Sequence, residues 1–146
     1  MFRDASSLAA HALAARSALT TDDPSLARAL DDEIDLARRL VIAVLALRHG
    51  ERIREAVRAI DHGERARRAL GVEALDVVLS RNEAAVALPL VRYDLTVEER
   101  AAALRRATAS VPPEEWIADI ARDPEGVWRS SWLQTCARYA LTRSPH

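Results

Sequence analysis

The sequence predicts an all-α fold, a right-handed α-solenoid of about three helix pairs preceded by two N-terminal helices. Two observations predict it. Apolar residues recur three or four apart along most of the chain, and no stretch alternates as a half-buried strand would; with only 4 Gly in 146 residues, the breaks carry helix-boundary residues, not hairpin signals. An Asp followed six residues later by an Arg also returns at Asp61–Arg67, Asp94–Arg100 and Asp123–Arg129, each time in a short break between apolar-periodic segments.

The elements follow in order. Ala5 to Leu19 is a predicted helix, rich in Ala, with Leu8, Ala12, Ala15 and Leu19 at helical spacing; its modest apolar bulk requires a partner. Thr20 to Pro24 is a stop and restart, with Asp23 as N-cap and Pro24 in the first position, where a missing N–H costs nothing. Pro24 to His49 is the longest predicted helix. Leu26, Leu30, Ile34, Ala37, Val41 and Leu45 form its stripe, Leu36, Leu40, Val44 and Leu47 widen it, and Gly50 ends it. Acids early (Asp31, Asp32, Glu33, Asp35) and bases late (Arg38, Arg39, Arg48) suit its dipole.

The first pair is Arg52–Ile60 and Glu64–Leu79, joined by a turn at Asp61-His62-Gly63. Ile53, Val57 and Ile60 form one core face; Ala66, Leu70, Ala74 and Val77-Val78 form the other. Gly71 inside the second helix implies close approach of a neighbouring backbone, since a mid-helix Gly otherwise costs roughly 1 kcal/mol. The second pair is Glu83–Tyr93, with Val86, Leu88, Leu90 and Val91 apolar and a kink or early break at Pro89, then Ala101–Ala109 behind a Thr96/Glu99 capping box. Val111-Pro112-Pro113 ends that pair. Glu114–Ala121 and a last helix from Asp123-Pro124 to about Leu141 make the third, and Thr142 to His146 is a tail that frays. The whole chain reads as one helical domain: residues 1–50 an N-terminal pair or degenerate repeat, 51–141 three repeats, 142–146 tail.

The first and third units superpose at an offset of 62 without a gap, so Ala56 falls on Ala118, Asp61 on Asp123, Arg67 on Arg129 and Leu79 on Leu141. Asp22–Arg28 marks a degenerate earlier unit, and Asp32–Arg38 shows the same spacing. An Asp in each turn accepts N–H groups of the next helix, and the Arg reaches an Asp of its own or an adjacent unit. The six residues Asp61, Arg67, Asp94, Arg100, Asp123 and Arg129 thus form a structural ladder. With this spacing, the two-helix unit and the Pro or Gly just after the Asp, the segment from about Glu51 to Leu141 resembles HEAT-like repeats. More narrowly, Ala69 to Leu79, Leu88-Pro89-Leu90-Val91 and Thr96 to Arg100 resemble the soluble HEAT-like region of bacterial ATP/ADP-translocase-like fusion proteins. The resemblance implies a scaffold or connector, part of a larger membrane-transporter fusion in which a cyclic-nucleotide-binding domain often follows. The chain contains neither a transporter segment nor a sheet-rich nucleotide module, so no functional residue carries over.

Composition narrows the chemistry. All 21 basic residues are Arg, which excludes a catalytic Lys. Cys136 is alone, which excludes an intrachain disulfide and a cysteine-based zinc site; with no secretory signal evident it fits a cytoplasmic location or the cytosolic part of a membrane protein. The longest strongly apolar run, Leu40 to Leu47, falls short of the roughly 20 residues of a membrane span. His11, His49, His62 and His146 are scattered, Ser6-Ser7 and Ser130-Ser131 lack a glycine-flanked elbow, and no glycine-rich phosphate loop exists, so no catalytic, cofactor or metal residues are assigned. Cys136 aligns with Ala74 on a face read as buried. Arg38 to Arg68 holds nine Arg against four acids, interleaved, which reads as solvated faces and ion pairs before it reads as an acidic partner or nucleic acid. Trp128 and Trp132, four apart on one helix face, either cap the stack against the Trp116 helix or anchor a partner. The partner-binding candidates are therefore Arg65, Arg68, Trp128 and Trp132. The reading is a non-enzymatic HEAT-like scaffold whose partner is a protein or neighbouring domain. The alternative is a nucleic-acid-binding HEAT-like domain using an Arg-rich face; an all-α enzyme has no cluster of groups to support it.

Overall fold

A computed structural model describes residues 1–19, 23–92 and 94–143. Among these the chain forms eight α-helices and no strand: α1 (Phe2–Ala18), α2 (Pro24–His49), α3 (Arg52–His62), α4 (Arg65–Val78), α5 (Arg81–Val91), α6 (Val97–Thr108), α7 (Trp116–Arg122) and α8 (Ser131–Arg143). None of them is long and apolar enough to cross a membrane. The restart at Thr20 to Asp22, the Asp22–Arg28 pair, the expected helix end at Tyr93, and Ser144 to His146 of the tail lie outside the described residues.

The centre of the fold is α2. Asp23 accepts from the N–H groups of Ser25 (3.0 Å) and Leu26 (3.3 Å), and Pro24 occupies the first turn. Gly50 ends α2 at φ +90°, a conformation that side chains other than Gly rarely adopt. Of its stripe, Leu26, Leu30, Ala37, Val41 and Leu45 are buried, as the spacing predicts, Ile34 is half-buried, and Leu47 beside it is exposed. Around it the helices are not stacked simply in chain order. Helix α2 packs on α1, α8, α3 and α5; α1 packs on α2 and α6; α3 pairs with α4, α5 with α6 and α7 with α8. The N-terminal pair, expected at one end of a solenoid, instead provides the surface on which the later pairs rest. The Ala-rich α1 makes this possible, because Ala9, Ala10, Ala12 and Ala15 are buried and let both α2 and α6 approach closely.

Local differences from the sequence expectation have identifiable causes. Asp61 and His62 are the last turn of α3, not a turn between helices. Helix α5 runs through Pro89 to Val91: only the last turn lies beyond the proline, so one lost N–H is tolerated. Ser80 and Glu83 form a second capping box beside Thr96/Glu99, each box with both reciprocal hydrogen bonds. Helix α6 then starts at Val97, four residues earlier than expected. Helix α8 starts at Ser131, not at Pro124. Asp123 adopts a left-handed conformation (φ 45°) that ends α7, and residues 124–130 form an irregular connection.

The largest difference is in α4. Of the residues predicted to face the core, Ala66, Leu70, Ala74 and Val77 are exposed and Val78 is half-buried. The buried face is Gly71 and Leu75. A Cβ on Gly71 would lie 2.8 Å from the Ala56 carbonyl oxygen and 2.9 Å from Ile60 Cγ1, which is the close helix approach the sequence implies. Helix α4 therefore has two apolar faces, and α3 covers only the one that carries the glycine.

Candidate interaction surface

Two polar clamps fix the framework before any surface is considered. Glu33 lies on the buried stripe of α2 and is 1% exposed. Its Oε1 accepts the Ser130 N–H at 2.6 Å, tying α2 to the residue that caps α8, where Ser130 Oγ accepts from the Leu133 N–H. Burial pushes the Glu33 carboxyl up; the Ser130 and Arg129 N–H groups and the Arg129 charge oppose this without reversing it. A raised carboxyl pKa contributes stability at low pH that is lost as pH rises through the folded value.

The second clamp is Glu83 at the start of α5. It accepts from the Ser80 N–H (2.9 Å) and from Arg48 (3.1 Å), and it pairs with His49 (3.0 Å) at the end of α2. Burial alone would raise its pKa from the ordinary 4.5; the Ser80 N–H, Arg48 and His49 outweigh burial and hold it at about 2.

The six ladder residues are placed differently from the spacing argument. Asp61 takes Arg38 of α2 as its partner (2.7 Å). The same Arg38 donates through Nε to the Leu90 carbonyl at the end of α5 (3.1 Å). Asp94 takes Arg92 in a two-bond fork (3.1 and 2.7 Å), and Arg92, with Arg100 more distantly, holds its carboxyl low. Arg100 donates to the Arg92 carbonyl (2.6 Å). Asp123 Oδ1 accepts from the N–H groups of Val127 (2.8 Å) and Trp128 (3.4 Å), so it organises a loop where a helix start was expected. Among the described residues no ion pair closes Asp61 to Arg67, Asp94 to Arg100 or Asp123 to Arg129. The physical reason is proximity: each Asp finds a better placed donor from α2, from its own turn or from the backbone.

The two tryptophans separate. Trp128 is 6% exposed and lies before α8, not on it. It meets Trp116 edge to face at 6.4 Å, the packing expected of a cap, and His11 of α1 stands edge-on to both, at 6.0 Å from Trp116 and 6.2 Å from Trp128. Trp128 is thus a core residue and not a partner anchor. Trp132 is 59% exposed and keeps the candidacy alone. Cys136 is buried, with burial raising its thiol, whereas Ala74, its counterpart in the repeat register, is exposed.

Arg65 and Arg68 do come together with new neighbours. With Ala69, Val72 and Glu73 of α4 and Arg92 and Asp94 beyond α5, they line a cleft of about 390 Å³. Arg68 Nε donates to the Gly63 carbonyl (2.8 Å), which fixes its stem along α4. The cleft joins three guanidinium groups with two carboxylates, and Arg92 holds Asp94 in a planar fork. A second depression of about 460 Å³ lies on the other flank of α4 and is largely apolar, lined among others by Leu70, Ala74, Val77 and Arg52. Among the described residues no three His, Cys, Asp or Glu side chains gather as metal ligands.

Comparison with protein-family models, with curated proteins and with solved structures finds no match to this chain.

Proposed function

We propose that this chain is a non-enzymatic connector or scaffold domain, HEAT-like in its helix-pair unit, that binds an acidic segment of a protein or neighbouring domain at the α4–α5 cleft. The observation that carries the proposal is the convergence of Arg65, Arg68 and Arg92 on one concave surface. Guanidinium groups seat carboxylates in bidentate geometry. The absence of Lys in the sequence makes this the natural mode for its basic surfaces. The right-handed solenoid, the cytoplasmic setting and membership of a larger transporter fusion belong to the same proposal. The recurrent two-helix unit supports the solenoid, and the central place of α2 argues for a more compact arrangement of those units. Nucleic acid is the alternative reading of the same Arg-bearing cleft, with phosphate in place of the partner's carboxylates.

The test is fluorescence anisotropy with a labelled Glu-rich helical peptide, a neutral peptide of the same length and a labelled duplex, at low and physiological salt. The proposal expects salt-sensitive binding of the acidic peptide only, weakened about tenfold or more by Arg68→Glu. No binding of the acidic peptide at low salt sinks the proposal, and preferential binding of the duplex replaces it with the nucleic-acid reading.

A further inference from the structure

The α4–α5 cleft already holds an anion of the chain's own. Asp94 lines it, and Arg92 donates to that carboxylate through Nε (3.1 Å) and Nη2 (2.7 Å), the two-bond geometry in which arginine takes a carboxylate. The pair stands on a short bridge fixed at both ends. The Arg92 N–H donates to the Leu88 carbonyl (2.9 Å) at the end of α5, Arg100 of α6 donates to the Arg92 carbonyl (2.6 Å), and Thr96 caps α6 two residues beyond Asp94. The backbone that presents the pair is therefore held by other contacts. The fork itself joins residues two apart, 42% and 49% exposed, and ties no two helices together. Exposed pairs of this kind add little to stability, so the fork is readily exchanged for another.

We propose that Asp94 is a built-in competitor, which occupies Arg92 in the free chain and is displaced by the carboxylates of a bound acidic segment, an assignment that rests on the cleft being the binding site. The fork takes the Nε–Nη2 edge of the guanidinium. A second carboxylate on the opposite edge would stand beside Asp94, where like charges repel, so a ligand either displaces Asp94 or bears its repulsion. The hydrogen bond from Arg92 holds the Asp94 carboxyl below the ordinary 3.8, so the competitor is ionised at neutral pH. One carboxylate exchanged for Asp94 gains nothing. A segment with several gains, because it seats one on Arg92 and others on Arg65 and Arg68. Asp94 thus selects clustered acidic residues over isolated ones. Glu73 lines the same cleft but takes no ion pair among the described residues, so it opposes an acidic ligand by charge alone.

Fluorescence anisotropy of the full chain with the labelled Glu-rich peptide reads the competition. Asp94→Asn should tighten binding about threefold to fivefold, the range an exposed pair supplies. Glu73→Gln removes the same charge from the same cleft but releases no guanidinium, and should tighten binding less than about twofold. Arg92→Gln should weaken binding. In that background Asp94→Asn should gain no more than Glu73→Gln does, because no fork remains to release. The melting temperature of Asp94→Asn should stay within about 2 °C of the wild type, which separates the gain from a change of fold. Equal affinity of the wild type and Asp94→Asn, or an equal gain from Glu73→Gln, overturns the inference and leaves the cleft reading standing. No binding by either the wild type or Asp94→Asn overturns both.

Discussion

Helices α4 and α6 hold the same position, each the second member of its pair, and are stabilised in opposite ways. Helix α6 begins with a complete capping box at Thr96 and Glu99, carries Glu98 and Glu99 in its first turn and Arg105 and Arg106 in its last, and buries Leu104 fully. It packs on both α5 and α1. Helix α4 has no side-chain cap, reversed charges and an apolar face left open, and it packs on α3 and, over a smaller area, α5. Local rules and tertiary packing agree in α6. In α4 tertiary packing alone holds the helix, through Gly71 and Leu75 with the half-buried Val72 and Val78, and its local chemistry adds little.

The contrast can be broken most directly through the two leucines. Leu104→Ala should cost about 3 kcal/mol by urea unfolding, whereas Leu70→Ala should cost less than about 0.5 kcal/mol in dilute protein; equal costs would show that α4 is buried after all. The framework under α6 gives the next effect. The depressed Glu83 pKa contributes stability that is present above pH 4.5 and lost as pH falls toward about 2. Glu83→Gln should therefore lower stability at pH 7 by about 2–3 kcal/mol and flatten the acid limb of a stability–pH profile, an outcome read by chemical unfolding at each pH. Thr96→Ala should cost about 1 kcal/mol by removing the α6 cap. The smallest effect has the opposite sign. Glu64 at the start of α4 has the extended backbone of an N-cap but its side chain accepts no capping hydrogen bond, so Glu64→Ser should raise stability by about 0.5 kcal/mol, seen as a melting temperature about 1–2 °C higher.

The all-helical class and most helix bounds were legible because periodicity and caps are local signals: Asp23-Pro24, Gly50 and Thr96/Glu99 each did what their chemistry dictates. The Ser80/Glu83 box carries the same signature and was there to be read. Glu33 had a weaker signal, its place three residues after Leu30 and four before Ala37 on the buried stripe. Which face of α4 turns inward was not legible, because both faces are apolar and Gly71, lacking a side chain, adds nothing to a hydrophobic pattern. The Asp–Arg spacing misled for a related reason. Spacing along one chain fixes which residues share a helix edge, but the partner of Asp61 is Arg38, set by how α2 lies against α3. Of the proposed surface, Arg65 and Arg68 were found from sequence; Arg92 needed the packing.

The bond from Glu33 to the Ser130 N–H spans 97 residues and has a kinetic consequence. In a linear repeat array each unit contacts only its neighbours, so folding can start anywhere and an end unit can be lost without harm to the rest. Here α2 needs α8, and α1 needs α6, before its own apolar faces are covered. The closing contacts form only after nearly the whole chain is available, which slows folding for an all-helical protein of this length. Removing α8 would uncover the part of α2 that packs on it and free the Ser130 Oγ that caps α8, loosening the residue whose N–H holds Glu33. The eight helices of the described residues are therefore expected to unfold in one transition, with the circular dichroism and tryptophan fluorescence curves coincident.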